Sequence, residues 1–202
     1  MNATKATLRQ YFLEQRRRLS EPQINQLSQQ IGDRLMQWLA VGEVRYLHCF
    51  LPIQRFYEIN TIGIINQIVY KFPEITILVP KVNTTTNQLD CYQWTPHTLL
   101  TESKWGVPEP TDSELFTDFD KIDCVVTPLL AYDQQGYRVG YGKGFYDRFF
   151  AQCRVNVHKV GVSFFDPVAA ITDTEPHDVK LNCCVTPHKI WEFSFFDNFC
   201  GT

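Results

Sequence analysis

Thr61-Ile62-Gly63-Ile64-Ile65-Asn66-Gln67-Ile68-Val69-Tyr70-Lys71-Phe72-Pro73-Glu74-Ile75-Thr76-Ile77-Leu78-Val79-Pro80 changes its apolar period halfway along. Ile62, Ile65, Ile68 and Val69 recur at helical spacing, with Thr61 as the expected N-cap and Pro73 as the stop. Residues 75–79 are then short, β-branched and closed by Pro80, which predicts a buried strand. Upstream, Val44-Arg45-Tyr46-Leu47-His48-Cys49-Phe50 predicts another. Strands alternating with helices point to a parallel sheet with helices layered on it.

The flanks extend this pattern. Leu8, Phe12, Leu13 and Leu19 form a sparse apolar stripe among Arg9, Arg16, Arg17 and Arg18, which predicts a first helix. Ser20-Glu21-Pro22-Gln23 reads as a helix start, with Ser20 as cap, Pro22 in the first turn and Gln23 three residues after the cap. Ile24, Leu27, Ile31, Leu35 and Trp38 carry that second helix to Gly42. Residues 89–94 alternate and predict a sheet-edge strand, while 101–122 are acidic, broken by Gly106, Pro108 and Pro110, and read as loop. Residues 124–126 and 159–164 predict two more buried strands. The expected architecture is α/β: a single-domain layered fold over 1–202, with a mainly parallel central sheet flanked by helices. No internal repeat, low-complexity tract or linker divides it.

The 202 residues carry 19 Lys+Arg against 22 Asp+Glu, a net charge of −3 that excludes a general polyanion binder. Apolar residues at 44 % and charged residues at 20 % exclude wholesale disorder. A chain of this length buries roughly 70 % of its unfolded surface, enough for a core without disulfides or a structural metal. The seven cysteines are odd in number, form no C-x-x-C pair and mostly lie in apolar runs; the five histidines lack zinc-ligand spacing. The first residues lead into a charged segment rather than an apolar signal core, and no run approaches the ~20 apolar residues of a membrane span. These features predict a cytoplasmic protein with no nucleic-acid or membrane partner. The mild total hides segregation: residues 1–18 sum to +4, residues 136–148 to +2, and residues 102–123 to −5.

Gly136-Tyr137-Arg138-Val139-Gly140-Tyr141-Gly142-Lys143-Gly144-Phe145-Tyr146-Asp147-Arg148 holds four of the ten glycines, follows a predicted strand and runs into a predicted helix start. Such a loop lets backbone N–H groups approach an anion, with the helix dipole and Arg138, Lys143 and Arg148 adding positive charge. It is not a P-loop, because Gly144 follows Lys143 where Ser or Thr is required. Nor is it a dinucleotide fingerprint, because counting from Gly140 the third glycine, Gly144, comes one residue early. Asp147, and Asp178 some thirty residues on, are candidate ligands for a phosphate-bound Mg²⁺, an ion that takes one or two carboxylates and leaves the rest to water and phosphate. Taken alone, Lys5 and Arg9 read as a solvated helix face, Glu58 as an exposed residue before a helix, and His177 as a surface or packing residue.

The segment 138–148 resembles the signature of the 5-formyltetrahydrofolate cyclo-ligase family, also called 5,10-methenyltetrahydrofolate synthetases. Other pieces agree in order and spacing. Lys5-x-x-x-Arg9 resembles the family's nucleotide-contacting pair. Tyr57-Glu58-Ile59-Asn60-Thr61 resembles its folate-contacting segment, and Trp105-Gly106-Val107-Pro108-Glu109-Pro110 its proline loop. Gly161-Val162-Ser163-Phe164, His177-Asp178 and Val185-Thr186-Pro187 resemble its closing strand, metal-side Asp and terminal segment. The likeness runs from Lys5 to about Pro187. Asn60, Phe145 and Thr127 depart from the common Asp, Tyr and Val.

The resemblance implies ATP- and Mg²⁺-dependent conversion of 5-formyltetrahydrofolate to 5,10-methenyltetrahydrofolate. The formyl oxygen attacks the γ-phosphate, N10 closes the ring, and phosphate leaves with ADP as the other product; the protein's part is positioning and charge stabilisation. It implies Lys143 and Arg138 as catalytic cations. ATP would be held by Lys5, Arg9, Arg138, Val139, Gly140, Tyr141, Gly142, Lys143, Gly144, Phe145 and Tyr146. The folate would meet Ile53, Glu58 and residues 141–145, that is Tyr141, Gly142, Lys143, Gly144 and Phe145, while Asp147 and Asp178 would hold Mg²⁺. A monomer with small-molecule substrates is expected. The competing readings are a nucleotide- or folate-binding module without turnover, and a sugar-phosphate isomerase-like enzyme.

Overall fold

The computed structural model describes residues 2–103 and 106–193, so Lys104, Trp105 and Cys200 of the sequence reading lie outside the described residues. A short strand β1 (Asn2–Ala3) leads into α1 (Lys5–Arg17), capped by Thr4, whose hydroxyl accepts from Thr7 N at 3.3 Å. α2 (Glu21–Leu39) begins at the expected cap, where Gln23 Oε1 accepts from Ser20 N at 2.9 Å. Each satisfies helix N–H or cap groups that would otherwise lack partners.

β2 (Tyr46–Cys49), α3 (Thr61–Lys71) and β3 (Thr76–Asn83) form the crossover unit, with Tyr46 to His48 paired in parallel against Thr76 to Leu78. Two details differ from the sequence reading. The N-cap of α3 is Asn60, whose Oδ1 accepts from Gly63 N at 3.1 Å. Thr61 is fully buried inside the first turn and donates its hydroxyl to the Phe50 carbonyl at 2.6 Å, tying the helix start to the end of β2. The strand also runs on through Pro80. Pairing with β2 ends at Leu78, and from Leu78 onward β3 pairs antiparallel with β4 (Gln88–Gln93), Pro80 opposite Cys91. Among the described residues no strand of the sheet is paired with the β2 side of β3 there, and a missing N–H is tolerated.

The acidic stretch is more structured than its composition suggests. β5 (Leu100–Glu102) and β6 (Pro108–Pro110) make an antiparallel hairpin, and β7 (Leu115–Phe116) pairs with β4. β4 is therefore one strand in from the edge. β7 is two residues long and inserts Phe116 into the core, too little for a periodic signal.

β8 (Cys124–Thr127), the hairpin of β9 (Ala131–Tyr132) with β10 (Arg138–Val139), α4 (Phe145–Phe150), β11 (His158–Val162), β12 (Ala170–Ile171), β13 (Cys183–Val185) and β14 (Ile190–Glu192) complete the chain. The large sheet has the order β14-β13-β11-β8-β2-β3-β4-β7, with β13, β11, β8, β2 and β3 parallel and antiparallel strands at both ends. Successive side chains leave opposite faces of a strand. Accordingly Leu47, Ile77, Val126 and Val160 pack with Leu35, Ile65 and Ile68 of α2 and α3, while Leu78 and Val125 pack with Phe149 and Phe150 of α4. A third cluster seats Leu8 and Phe12 of α1 on Leu130, Ala131 and Val139 of the β9–β10 hairpin. Among the described residues no helix is long and apolar enough to cross a membrane.

Candidate functional site

The segments that follow β2 and β8 open onto a cleft of about 770 Å³. Openings of this kind, outside the carboxyl ends of parallel strands, are where α/β sheets bind ligands. α1 contributes Lys5 and Arg9, the turn after β2 contributes Ile53, Arg55, Phe56 and Glu58, and the glycine loop supplies 140–147. His177, Asp178 and Val179 close the remaining side. Of the residues singled out from the sequence, the cleft brings together Lys5, Arg9, Ile53, Glu58, Arg138, Gly140 through Asp147, and Asp178. Val139 stands apart. It is fully buried under Leu8 and Phe12, and its carbonyl accepts from Leu130 N at 2.7 Å, so it anchors the loop without lining the cleft.

The loop hangs from the separate β9–β10 hairpin rather than from a strand of the large sheet. α4 behind it has only six residues, so its dipole contributes less than the sequence reading assigned. Positive φ is needed at Gly142 (81°) and Gly144 (65°), conformations that a side chain resists. A Cβ on Gly142 would lie 3.3 Å from the Arg9 guanidinium carbon, whereas one on Gly140 would meet nothing within 4 Å. The close approach of Arg9 is fixed by its Nε, which donates to the Gly140 carbonyl at 2.8 Å.

The charges are arranged in pairs. Lys5 Nζ meets Asp178 Oδ2 at 2.5 Å, and Arg138 Nη2 meets Asp147 Oδ1 at 2.7 Å. Burial alone would raise the Asp178 carboxyl. The Lys5 hydrogen bond, the Glu175 N–H, and the charges of Lys5 and His177 outweigh it and hold Asp178 below the usual carboxylate value. Burial lowers Arg138, opposed by the charges of Asp147 and Asp178. Its guanidinium also donates to the Val179 carbonyl and lies over the Phe150 ring. Lys143 is exposed at the tip of the loop with no ion pair among the described residues. Tyr146 packs its ring against His48 and Phe149, its buried hydroxyl having no partner among the described residues. Phe145 lies under the Arg148 guanidinium.

Glu58 is not the exposed residue that its sequence context suggests; it is 6 % exposed. Tyr57, with φ 51° and ψ 47°, takes the left-handed conformation at the end of a 3-10 turn (Gln54–Phe56) and redirects the chain. Ile53 N then donates to Glu58 Oε2 at 2.7 Å, and Tyr141 donates to Glu58 Oε1 at 2.5 Å. Burial raises the Glu58 carboxyl, opposed by the charge of Arg16 and by these two donors.

Sequence reasoning missed Arg16, 3 % exposed, and the pair Phe56–Tyr141, stacked at 4.9 Å and 26°. Arg16 was hidden in the run Arg16-Arg17-Arg18. Its signal was phase: it stands seven residues after Arg9 and eleven after Lys5, on the same helix face as both.

Among the described residues no cluster of three or more His, Cys, Asp or Glu forms a metal cage. Asp147 and Asp178 each give one oxygen to a cation, Oδ1 and Oδ2 respectively, so a carboxylate oxygen of each remains outside these ion pairs. Two carboxylates on the cleft fit Mg²⁺ that arrives with phosphate and water better than a cage-bound metal.

The 5-formyltetrahydrofolate cyclo-ligase family model matches residues 1–187. The 5-formyltetrahydrofolate cyclo-ligase of Escherichia coli K12 is 27 % identical over 182 residues, covering 89 % of this chain and 98 % of the relative. That of Mycoplasma pneumoniae is 25 % identical over 183 residues, covering 90 % and 97 %. Among solved structures, the Aquifex aeolicus 5,10-methenyltetrahydrofolate synthetase superposes with TM-score 0.78 at 24 % identity, covering 98 % of this chain and 96 % of that one. A Mycoplasma pneumoniae 5,10-methenyltetrahydrofolate synthetase gives 0.69 at 23 %, covering 91 % and 98 %. These two show the fold.

Proposed function

The chain belongs to the 5-formyltetrahydrofolate cyclo-ligase family, and on that premise we propose that its cleft converts 5-formyltetrahydrofolate to 5,10-methenyltetrahydrofolate at the expense of ATP. The observation that carries the reading is the charge layout of one cleft. A buried carboxylate lies on one side, and a cationic glycine loop with two carboxylates lies on the other. The first suits a pterin edge, which offers paired N–H donors to a carboxylate. The second suits a triphosphate.

In this reading the backbone of Gly140, Gly142 and Gly144 cradles phosphate oxygens, with Lys5 and Arg9 closing from α1. Lys143, exposed and without an ion pair among the described residues, neutralises charge on the transferring phosphoryl group. Arg138 acts from beneath, holding Asp147 in place. Asp147 and Asp178 would hold Mg²⁺, which supplies charge neutralisation on the phosphates when bound. Ile53, Glu58, Tyr141 and Phe145 form the folate side. The formyl oxygen, a poor leaving group, becomes a good one once phosphorylated; N10 then closes the five-membered ring and phosphate departs. Holding the formyl oxygen in line with the γ-phosphate supplies most of the rate. The reading includes a monomer acting on small-molecule substrates, and the family's metabolic role supports a cytoplasmic location.

Mixing the protein with 5-formyltetrahydrofolate, ATP and Mg²⁺ is expected to produce the methenyl chromophore, and omission of ATP to abolish it. Folate binding with no product in the presence of ATP would leave a binding module instead.

A further inference from the structure

Arg16 is a buried cation with no assigned role, and its contacts lead to the folate side of the cleft. Nη2 donates to the Leu129 carbonyl at 2.5 Å, and Nη1 reaches Tyr141 Oη at 3.4 Å. Tyr141, stacked on Phe56, passes the contact on by donating to Glu58 Oε1. Ile53 N occupies the other carboxylate oxygen.

A carboxylate has about four lone-pair sites. The protein fills one on each oxygen of Glu58, which leaves one on each. That is the pattern a planar pair of N–H donors requires. The remaining polar groups near Glu58 do not substitute for Arg16. Tyr146, from α4, is held neutral by burial, and Arg55, in the same turn as Glu58, lies over the Phe56 ring at 4.8 Å. An ion buried to this degree persists only when paired and hydrogen-bonded.

We propose that Arg16 and Tyr141 are positioning residues for folate recognition, favouring the carboxylate form of Glu58 and orienting it with one acceptor site per oxygen open to the substrate. The proposal rests on the folate reading of Glu58. Removing the Tyr141 hydroxyl removes a donor that favours the carboxylate. The Glu58 pKa then rises, and a protonated carboxyl cannot accept two N–H groups. The loss in kcat/KM for the folate is therefore largest at acid pH, and the acid limb of the profile moves to higher pH.

The test compares Tyr141→Phe, Arg16→Met, Arg16→Lys and Glu58→Gln by steady-state kinetics across pH, with folding checked by thermal unfolding. Tyr141→Phe keeps the ring stacking and is expected to raise the folate KM about tenfold, the order for a hydrogen bond to a charged group. The ATP KM should change several times less, and the acid limb should move upward. Arg16→Met should do more and Arg16→Lys should recover part. If Arg16→Met does not fold, Tyr141→Phe alone decides. A folate KM within twofold and an unmoved acid limb in Tyr141→Phe would overturn the proposal, as would equal rises in both KM values. Glu58→Gln separates the proposal from the reading beneath it. An unchanged folate KM there would overturn the folate reading, and the proposal with it. A raised one, beside a silent Tyr141→Phe, would overturn the proposal alone.

Discussion

Two glycines of the same loop should respond oppositely to the same substitution. Gly142 has φ 81°, and a Cβ there would sit 3.3 Å from two atoms of the Arg9 guanidinium. Alanine in a left-handed conformation costs about 1–2 kcal/mol, and the crowded guanidinium can yield only by loosening its 2.8 Å bond to the Gly140 carbonyl. Gly140 lacks a positive φ, and a Cβ added to it would have open space for 4 Å around. Alanine there restricts the unfolded chain and is worth up to about 0.4–1 kcal/mol of added stability. Gly142→Ala should therefore lower Tm by about 2–8 °C for a chain of this size, while Gly140→Ala leaves it level or slightly raised. Urea unfolding at 25 °C gives the same comparison as a shift in midpoint at constant slope. Because the proposed reading places Arg9 on the nucleotide side, Gly142→Ala should also raise the ATP KM more than the folate KM. Equal stabilities for the two variants would refute the backbone argument; equal effects on both KM values would refute the placement of Arg9.

Lys143→Ala should lower kcat about 10²–10³-fold, as expected for loss of a charge aimed at the transition state, with Tm unchanged because the side chain is exposed. A kcat within threefold of the parent would remove Lys143 from the chemistry. The Asp178 carboxyl is held below its usual value, so its pairing with Lys5 contributes stability that is present above about pH 4, the unfolded value, and lost as pH falls through the folded one. Lys5→Met should flatten that acid limb in urea unfolding measured from pH 2 to 6; an unaltered limb would show that the pair contributes nothing.

The core strands were readable because burial on both faces leaves a continuous apolar run, as in Cys124-Val125-Val126 and Ile75–Val79 of the sequence. The Ser20 start was readable because a cap is local chemistry. What escaped depends on neighbours distant in sequence. Thr61 looked like the cap of α3, but the Phe50 carbonyl claims its hydroxyl from eleven residues away. Pro80 looked like a stop, but only the β2 side of the strand had ended. β13 and β14 each pair across just three residues, below the length at which alternation is visible. In the site, the glycine loop and its cations announced themselves by composition. Glu58 did not, since no local pattern records that Tyr141, 83 residues later, covers it.

α1 has a consequence for how the two substrates are related. Lys5 and Arg16 are eleven residues apart on one face, roughly 16 Å along the axis at 1.5 Å per residue. One end touches the Asp178 carboxylate, and the other reaches the Glu58 carboxylate through Tyr141. On the proposed assignment of the two sides, the helix is a rigid spacer between phosphate donor and acceptor. Sliding it along its own axis changes the fit at both ends together, so the spacing of these two supports is written into a single element seated on Leu130, Ala131 and Val139.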